Sequence, residues 1–284
     1  MTIPIIFAFD DNYAIAASVA FYSLLKNAQC GVYYKLYALH KNLSSIHQAK
    51  LQATIKPFKA YSSLEFIDVS SYNPWGENYI FHAHSKAQKR FGDMYLYKYL
   101  SASIFLNYDK IIFSDVDVVF CKDITESFIN FNENKVFAGV IRLDRHKKVC
   151  LKEHYLIINL ALIRKLFLEE KFLKMIKKYC NTTMYYESKI SALVFDKIEY
   201  LPLKYEILSS QYKNLSLNQC YEGLHPHYYK SIKESLEQCV ILHFYGENKE
   251  FGINYKPWIN KNAPKAGIWF EILKNTAYKD DLKF

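Results

Sequence analysis

Glycine and long apolar runs are scarce in this sequence, and each shortage excludes a class of protein. There are 8 glycines in 284 residues, and none lies between residues 8 and 20, where a glycine-rich phosphate loop would follow the first strand. No stretch approaches the roughly 20 apolar residues of a membrane-spanning helix. The first residues lack a basic segment and a long apolar core, so we expect no secretory signal peptide.

Closely spaced cysteines are also missing. The six cysteines lie far apart, at positions 30, 121, 150, 180, 220 and 239. No two of them form a Cys-x-x-Cys pair, so neither a zinc ribbon nor a thioredoxin-type site is indicated. A chain of this length can build a core without disulfide bonds. We therefore expect reduced thiols and a cytoplasmic protein.

Arginine is rare, whereas lysine is abundant. The formal net charge is +9, and only four of the 37 basic residues are arginines. Such a charge suits nucleic acid, an anionic membrane surface or a phosphorylated substrate. Because the lysines are spread along the chain and no nucleic-acid motif is present, we expect no nucleic-acid partner and favour the other two.

Apolar runs alternate with amphipathic segments over the first seventy residues. The spacing predicts strands over residues 3–9, 32–39 and 64–69, with helices over residues 13–27 and 44–55 between them. This alternation is typical of a parallel sheet with helices on its faces. The later segments continue the same α/β pattern, with strands over residues 110–113, 135–140, 155–159, 198–203 and 239–244 and helices over residues 91–105, 162–179 and 188–195.

The sequence contains no internal repeat and no flexible linker. We therefore predict one α/β domain over residues 1–248 and a C-terminal extension over residues 249–284. The extension is rich in lysine and carries Trp258 and Trp269. A helix over residues 268–273 either packs on the domain or contributes to peripheral contact with an anionic membrane, the inner face of a bacterial cytoplasmic membrane.

Asp115 and Asp117 follow the buried strand predicted over residues 110–113. Residues two apart in an extended segment point to the same side, so the two carboxylates converge. Two like charges together are costly unless a cation lies between them, and a hard divalent ion that also binds diphosphate oxygens would compensate. Asp-x-Asp triplets also occur in solvated turns. Here the apolar residues on both sides of the triplet favour a ligand site at the carboxyl edge of the sheet.

Two further groups of polar residues follow apolar runs. His243 comes at the end of one run, where a histidine is often bonded only to backbone, although a neutral imidazole also suits manganese. Asp10 and Asn12 follow the first strand, where they serve either as a helix cap or as a reader of a base or ribose. The residues alone leave these alternatives open.

Four separated motifs carry a resemblance to a known family. They are F-A-F-D-D-N-Y over residues 7–13, Y-D-K-I-I-F-S-D-V-D over residues 108–117, I-N-L over residues 158–160 and L-H-F over residues 242–244. In this order they resemble the family 8 retaining glycosyltransferases, which include lipopolysaccharide galactosyl- and glucosyltransferases and, more distantly, glycogenin. The resemblance implies a GT-A type nucleotide-sugar-binding fold with a central, mostly parallel sheet flanked by helices.

The resemblance also implies a UDP-sugar donor and bound Mn²⁺ (or Mg²⁺). Asp115, Asp117 and His243 would bind the metal, and Asp10 and Asn12 would bind the uracil and ribose. Lys98 lies where the family usually has an arginine, so it keeps the charge but loses the planar fork. The full set of donor-binding positions is Ala8, Asp10, Asn12, Tyr13, Lys98, Asp115, Val116, Asp117, Gly246, Lys249 and Lys256.

Two lysines compete for the contact with the diphosphate. The family typically has Lys-Pro-Trp soon after the metal-binding histidine. Here Lys249 is followed by Glu250, and a Lys-Pro-Trp segment begins only at Lys256. An inserted loop would make Lys256 the contact, so both lysines are candidates.

The chain departs from the family at two places near the donor sugar. The family's Asn-Ala-Gly is replaced by Lys-Glu-His over residues 152–154, and its Asp-Gln-Asp aligns with Glu-Ser-Lys over residues 187–189. Glu187 and Ser188 are thereby the candidate catalytic residues. Either the alignment shifts by a few residues, the donor sugar differs from galactose or glucose, or the activity is reduced.

The implied activity is transfer of a hexose from a UDP-sugar to a glycan acceptor with retention at the anomeric carbon. The hexose would be galactose or glucose, with or without an N-acetyl group, and the acceptor a glycan or glycolipid such as a lipopolysaccharide or lipooligosaccharide core. The alternative is a non-catalytic nucleotide-sugar or glycan-binding protein with the same fold, which only the two departures favour. The sequence leaves the oligomeric state open.

Overall fold

The fold is described from a computed structural model over residues 1–72, 74, 94–143, 149–179, 186–213, 226–248 and 253–282. Fourteen strands occur in these ranges: β1 (Thr2–Ala8), β2 (Tyr33–His40), β3 (Ser62–Asp68), β4 (Lys110–Ser114), β5 (Val118–Phe120), β6 (Phe137–Gly139), β7 (Ile141–Leu143), β8 (Val149–Leu151), β9 (Tyr155–Asn159), β10 (Ile198–Tyr200), β11 (Ile207–Leu208), β12 (Ile241–His243), β13 (Glu247–Asn248) and β14 (Ile253–Asn254).

The α-helices among the described residues are mostly short. They span Ala14–Lys26, Ser45–Ile55, Ser101–Ile104, Thr125–Ile129, Leu160–Lys165, Leu168–Tyr179, Tyr186–Ala192, Pro226–Glu237 and Ala266–Leu273. Short 3₁₀ helices connect several elements, at Asp11–Tyr13, Lys56–Phe58, Met94–Leu100, Phe195–Lys197, Leu203–Tyr205 and Ser209–Tyr212.

A seven-stranded sheet organises the domain. Its strand order is β10-β6-β9-β4-β1-β2-β3, and β9 runs antiparallel to both of its neighbours while the other adjacent strands are parallel. The central strand β1 has no exposed apolar side chain between Ile3 and Phe7, as expected of a strand covered on both faces. The predicted mostly parallel α/β sheet is confirmed.

Helices cover both faces of this sheet. Because successive side chains of a strand alternate, Ile5 and Phe7 point to one core and Ile6 to the other. Phe21 and Leu24 of the helix Ala14–Lys26 belong to the first core. The second core contains Phe172 of the helix Leu168–Tyr179 together with several residues of the turn Met94–Leu100.

A smaller three-stranded sheet, in the order β11-β12-β5, positions the site described below. Strand β12 is parallel to β11 and antiparallel to β5, with His243 opposite Val118. Strand β5 begins one residue after Asp117, so this pairing brings the end of the β12 strand back to the end of β4. Two segments that are 126 residues apart thereby meet.

Several predicted boundaries differ from the structure. The helix predicted over residues 162–179 is two helices, because Phe167 adopts a left-handed φ of 53° between them. The described part of the segment 91–105 begins as a 3₁₀ turn and becomes an α-helix only at Ser101. The helix Pro226–Glu237 and the short strands β7, β8 and β11 were not predicted.

The described C-terminal residues pack on the same core as the sheet. Trp269 is fully buried, and Leu273 and Tyr278 lie in the first core as well. Lys50 forms an ion pair with Asp281 at 2.6 Å on the outside. The expected packing of a helix at residues 268–273 is confirmed, within the helix Ala266–Leu273. The domain boundary at residue 248 stays a prediction. No helix among the described residues is long and apolar enough to span a membrane.

Candidate metal and donor site

Backbone hydrogen bonds fix the Asp115–Asp117 segment between β4 and β5. The amide of Asp115 donates to the carbonyl of His154 at 2.8 Å, and the carbonyl of Asp117 accepts from the amide of Phe244 at 2.8 Å. The segments before β9 and after β12 are therefore tied to opposite ends of the same triplet. Between the aspartates, Val116 is buried in the first core, which points the flanking carboxylates away from it.

Four side chains from these three segments form one polar cluster. Asp117 Oδ1 lies 3.0 Å from His243 Nε2, and Asp115 Oδ2 lies 4.0 Å from the same nitrogen. His154 Nδ1 lies 2.7 Å from Asp115 Oδ2. One ligand atom each from Asp115, His154 and His243 all lie within 4.8 Å of one another. The three predicted metal ligands are thus close together, and His154 joins them.

The cluster is buried on one side and open on the other. His243 is fully buried and Asp117 is 7% exposed, whereas the side chains of Asp115 and His154 are 28% and 29% exposed. Behind the two imidazoles lies Glu206, itself 1% exposed, whose carboxylate is 3.0 Å from Lys152 Nζ. Among the described residues of the cluster, Asp115 and His154 therefore form the side that is open to a ligand.

The charges in this cluster determine one another's protonation. Burial by itself lowers the pKa of His243, but the carboxylates of Asp117, Glu206 and Asp115 raise it to about 10. Burial by itself raises the pKa of Asp117, yet His243 holds it below its usual value. Glu206 is likewise kept ionised, with a pKa of about 2, because Lys152 and the imidazoles outweigh its burial. A divalent ion here would replace the positive charge of the imidazolium.

The donor set fits a divalent ion. It offers two carboxylates and two imidazoles, a mixture that suits manganese and other first-row metals. Within the described part of the chain, the buried His243 Nδ1 has no hydrogen-bond partner. To bind an ion through Nε2, the imidazole would have to lose the proton on that nitrogen, and Nδ1 would then keep its hydrogen on the side of Glu206.

The Asp10–Asn12 turn shows the geometry of a cap. The Asp10 carboxylate accepts from the amide and from the side-chain Nδ2 of Asn12, both at 3.0 Å, directly after Ala8 ends β1. The helix-cap interpretation is therefore confirmed, and the contacts of these residues with uracil and ribose stay predictions.

Tyr13 and Lys256 connect this turn to the metal cluster. The ammonium of Lys256 donates to the hydroxyl of Tyr13 and lies 4.8 Å from the centre of its ring. Trp258 packs edge-on against Tyr13 with ring centroids 5.6 Å apart. The charge of Lys256 also contributes to the lowered pKa of Asp117. Lys256 therefore lies beside Tyr13 of the predicted nucleotide-binding turn, and its positive charge favours the ionised form of Asp117.

Gly246 and Lys249 follow His243 in the chain. Gly246 has a φ of 89°, a conformation that favours glycine, and its carbonyl accepts from the amide of Tyr255 at 3.2 Å. This turn sends the chain back toward the Lys256 segment. Lys249 lies outside the described residues.

Lys98 is occupied by a buried ion pair. Its ammonium lies 3.2 Å from the carboxylate of Glu153, and both side chains are 4% exposed. The hydroxyls of Tyr99 and Ser191 also donate to Glu153. The predicted contact of Lys98 with the donor stays a prediction, but the structure identifies an anionic partner for it within the protein.

The predicted catalytic residues lie on one helix. Glu187 and Ser188 belong to the helix Tyr186–Ala192, and their side chains lie outside the part of the chain that the structure describes. The roles of both residues stay predictions.

Sequence reasoning missed two members of the cluster. His154 was recognised only as a departure from the family motif, although a histidine replacing a glycine near a metal site was itself a signal. Glu206 carried no signal, since it follows a 3₁₀ turn and lies in no recognisable motif.

A comparison with protein families decides the identity of the fold. The model of Glycosyl transferase family 8 matches residues 4–261. The chain belongs to glycosyl transferase family 8. This glycosyltransferase has the predicted GT-A type fold, and the four motifs that suggested the family fall within the matched range.

Solved structures of glycosyltransferases share this fold. The apo bifunctional glycosyltransferase WbbM matches with a TM-score of 0.75 and 17% identity, over 99% of this chain and 51% of that one. The galactosyltransferase LgtC, in complex with donor and acceptor sugar analogues, matches with a TM-score of 0.71 and 16% identity, over 96% of both chains. GlyE from Streptococcus pneumoniae TIGR4 has a TM-score of 0.66 and 16% identity, over 96% of this chain and 60% of that one.

The glycosyltransferase therefore spans about half the length of WbbM and nearly all of LgtC. A search of curated proteins found no match. At 16–17% identity the structural likeness establishes the fold, while the substrates have to be argued from the site.

Proposed function

We propose that this glycosyltransferase moves a hexose from a UDP-sugar to a glycan acceptor, with retention at the anomeric carbon. The observation that carries the proposal is the meeting of Asp115, Asp117 and His243 beside Lys256, at the carboxyl ends of parallel strands. Ligands of α/β folds bind at this edge of the sheet. The four residues together supply ligands for a metal ion and a positively charged side chain that can bind a phosphate group.

Asp115, Asp117 and His243 would hold Mn²⁺ or Mg²⁺. When bound, the ion supplies positive charge that stabilises the diphosphate leaving group. The carboxylates are held in place before any ligand arrives, because Asp115 is fixed by its backbone bond to His154 and Asp117 by its bond to His243. Little reorganisation is then needed at the moment of reaction.

Lys256 would contact the diphosphate directly. Its ammonium lies beside Tyr13 and acts on Asp117, so it adds a second positive charge on the donor side of the cluster. Asp10 and Asn12, at the start of the same turn, would bind the ribose and uracil. Ala8, Val116 and Gly246 complete the proposed donor pocket.

The acceptor would be a glycan or glycolipid, such as a lipopolysaccharide or lipooligosaccharide core. Retention without a covalent nucleophile requires attack on the face from which the diphosphate leaves, with the acceptor proton passing to the leaving phosphate. Glu187 and Ser188 are the proposed residues beside the reacting carbon. If Glu187 acted instead as a nucleophile, a covalent glycosyl-enzyme would form.

Thermal stability against a panel of donors tests the proposal. We expect Mn²⁺ with UDP-galactose, UDP-glucose or UDP-N-acetylglucosamine to raise the melting temperature more than Mn²⁺ or UDP alone. At a ligand concentration of 100 Kd the stabilisation is about 2.7 kcal/mol, which corresponds to several degrees. If no UDP species stabilises the protein with metal, the proposal fails. Stabilisation without transfer or hydrolysis would favour the non-catalytic binder.

The same assay distinguishes the two candidate lysines. Replacing Lys256 by methionine should reduce the shift caused by UDP at least by half, because the ammonium beside Tyr13, which also favours the ionised form of Asp117, is lost. A matched control is Lys50→Met, since Lys50 also lies near a tyrosine ring, 5.0 Å from the ring centre of Tyr278, but is paired with Asp281. An unchanged UDP shift in the Lys256 variant would assign the contact to Lys249.

Peripheral contact with an anionic membrane remains a proposal for the lysine-rich C-terminal segment. Trp269 is buried in the core, so a membrane contact would depend on exposed side chains such as Ile259 and Ile268, which are 47% and 41% exposed. Co-sedimentation with anionic vesicles should therefore decrease in the Ile259→Ser, Ile268→Ser double variant. Equal binding of variant and parent, or binding by neither, would dismiss the contact.

A further inference from the structure

The metal cluster contains one more histidine than the family motif supplies. His154 Nδ1 is 2.7 Å from Asp115 Oδ2, and its ring lies 4.6 Å from that of His243. Its ligand nitrogen is within 4.8 Å of ligand atoms of Asp115 and His243. His154 is therefore a member of the metal cluster.

We propose that His154 and His243 both bind the divalent ion, and that Glu206 positions the two imidazoles. The inference rests on the proposed function and makes its metal site more specific. Asp115 and Asp117 would face the ion as carboxylates, while each histidine would turn one nitrogen toward it and the other toward Glu206.

The positions of the ring nitrogens match this assignment. Glu206 Oε1 lies 3.9 Å from His154 Nε2 and 3.9 Å from His243 Nδ1, on the side of each ring that faces away from the aspartates. Metal-binding histidines commonly present their second nitrogen to a carboxylate, which fixes the tautomer and the ring orientation. One buried carboxylate here faces both rings.

Lys152 makes such a buried carboxylate possible. Glu206 is 1% exposed and would be costly as an isolated charge, but Lys152 Nζ lies 3.0 Å from it and is itself almost buried. Lys152 and His154 both belong to the segment that departs from the family motif. The two changes thus complement each other, since one adds a ligand and the other holds the residue behind it.

A second imidazole changes which metals the site prefers. Nitrogen ligands favour metals such as Co²⁺, Ni²⁺ and Zn²⁺ over Mg²⁺, which prefers carboxylates, phosphates and water. A site with two histidines and two aspartates should therefore discriminate more strongly against Mg²⁺ than a site with one histidine. This selectivity is measurable without any sugar transfer.

The experiment measures metal affinity by calorimetric titration of the full chain with Co²⁺, Mn²⁺ and Mg²⁺. The variant His154→Phe removes both ring nitrogens but keeps an aromatic ring at this position. The ring can still pack against His243 and against Tyr245, whose ring centroid lies 5.2 Å from that of His154. We expect Co²⁺ affinity to fall at least tenfold and Mg²⁺ affinity to change much less. His154→Gln serves as a second variant if the phenylalanine perturbs folding.

The positioning role of Glu206 has its own variant and its own control. Glu206→Gln should weaken Co²⁺ binding by about 10- to 100-fold, the usual effect of losing such a partner. Glu153→Gln is the matched control, because Glu153 is similarly buried and is likewise paired with a lysine, Lys98 at 3.2 Å. His47→Phe, at a histidine stacked on Tyr278, controls for loss of a histidine elsewhere.

The outcomes separate this inference from the proposed function. If the parent protein binds metal and transfers sugar but His154→Phe and His154→Gln bind Co²⁺ as tightly as the parent, only the inference is wrong. If Glu206→Gln matches Glu153→Gln in metal affinity, the positioning role is wrong. If the parent binds none of the three metals, the inference and the metal part of the proposed function both fail.

Discussion

Replacing Asp117 by asparagine should reduce sugar transfer at least about 10²- to 10³-fold, the loss typical of removing one preorganised electrostatic group. Asp117 is 7% exposed and lies 3.0 Å from His243 Nε2, so its charge acts in a site with little water. The amide keeps the shape of the side chain but removes the anionic ligand. The decrease should appear in kcat and in metal affinity together.

Asp117→Asn should destabilise the fold less than the loss of a buried ion pair usually does. Removing one partner of a buried ion pair usually costs about 3–5 kcal/mol, because the other charge is left uncompensated. His243 can lose its proton, and the carboxylate of Glu206 lies 3.9 Å from its other nitrogen, so we expect a smaller loss here. The asparagine variant should therefore remain folded, which denaturant titration checks.

Asp109→Asn is the control for this variant. Asp109 lies directly before the first residue of β4, whereas Asp117 follows the strand. The side chain of Asp109 is 91% exposed, and its ion pair with Arg164, at 3.4 Å, lies at the surface. Such pairs contribute about 0–1 kcal/mol, so neither activity nor stability should change appreciably. Parental activity in Asp117→Asn would show that the triplet does not hold the metal.

The elements of the sheet could be predicted because their signals are local. Strand β9 coincides with the predicted residues 155–159, and β4 and β1 differ from prediction by one residue at each end or less. Uninterrupted apolar runs bounded by charged residues identify such buried strands. The helix Ala14–Lys26 follows equally from apolar spacing. These features depend on neighbours within one element.

The small sheet and its consequences could not be predicted in the same way. Strands β5 and β11 have three and two residues, too few for a periodic pattern. Strand β12 lies within the strand predicted over residues 239–244, but the pairing of the three strands joins distant parts of the chain. Yet this sheet is what brings His243 to Asp117. The candidate site residues could be named because the family motifs mark them, whereas the contact between them follows from the fold.

The segment over residues 152–154 shows the same limit. In the sequence, Lys152, Glu153 and His154 are simply three residues that differ from the family's Asn-Ala-Gly motif. In the structure each has a polar partner: Lys152 pairs with Glu206, Glu153 pairs with Lys98, and His154 Nδ1 lies 2.7 Å from Asp115 Oδ2. The replacement therefore consists of two buried ion pairs and one contact with a metal-ligand candidate, and only the three-dimensional neighbours reveal it.

Replacing Lys98 by methionine should cost about 3–5 kcal/mol of unfolding free energy, the loss expected when a buried ion pair keeps only one charge. Lys98 and Glu153 are both 4% exposed and 3.2 Å apart. Lys98 Nζ lies 5.3 Å from the ring centre of Phe113. Methionine keeps most of the apolar part of the lysine side chain and removes only the charge. Urea denaturation of the ligand-free protein measures the loss.

A second substitution should restore most of that stability. In the double variant Lys98→Met, Glu153→Gln both charges of this pair are removed, and the glutamine oxygen can still accept from Ser191 or Tyr99, which donate to Glu153. The surface pair of Lys35 and Glu65, at 3.7 Å, supplies the control, since Lys35→Met should change stability by no more than about 1 kcal/mol. A loss below 1 kcal/mol in Lys98→Met would contradict the prediction.

The double variant also decides what Lys98 does for the donor. If the lysine serves only to balance Glu153, the neutral pair should bind UDP-sugar as tightly as the parent protein. If Lys98 touches the donor as the family's arginine does, stability should recover while UDP-sugar affinity stays reduced. Because the two readouts move independently, a residue that holds the site together is distinguished from one that holds the substrate.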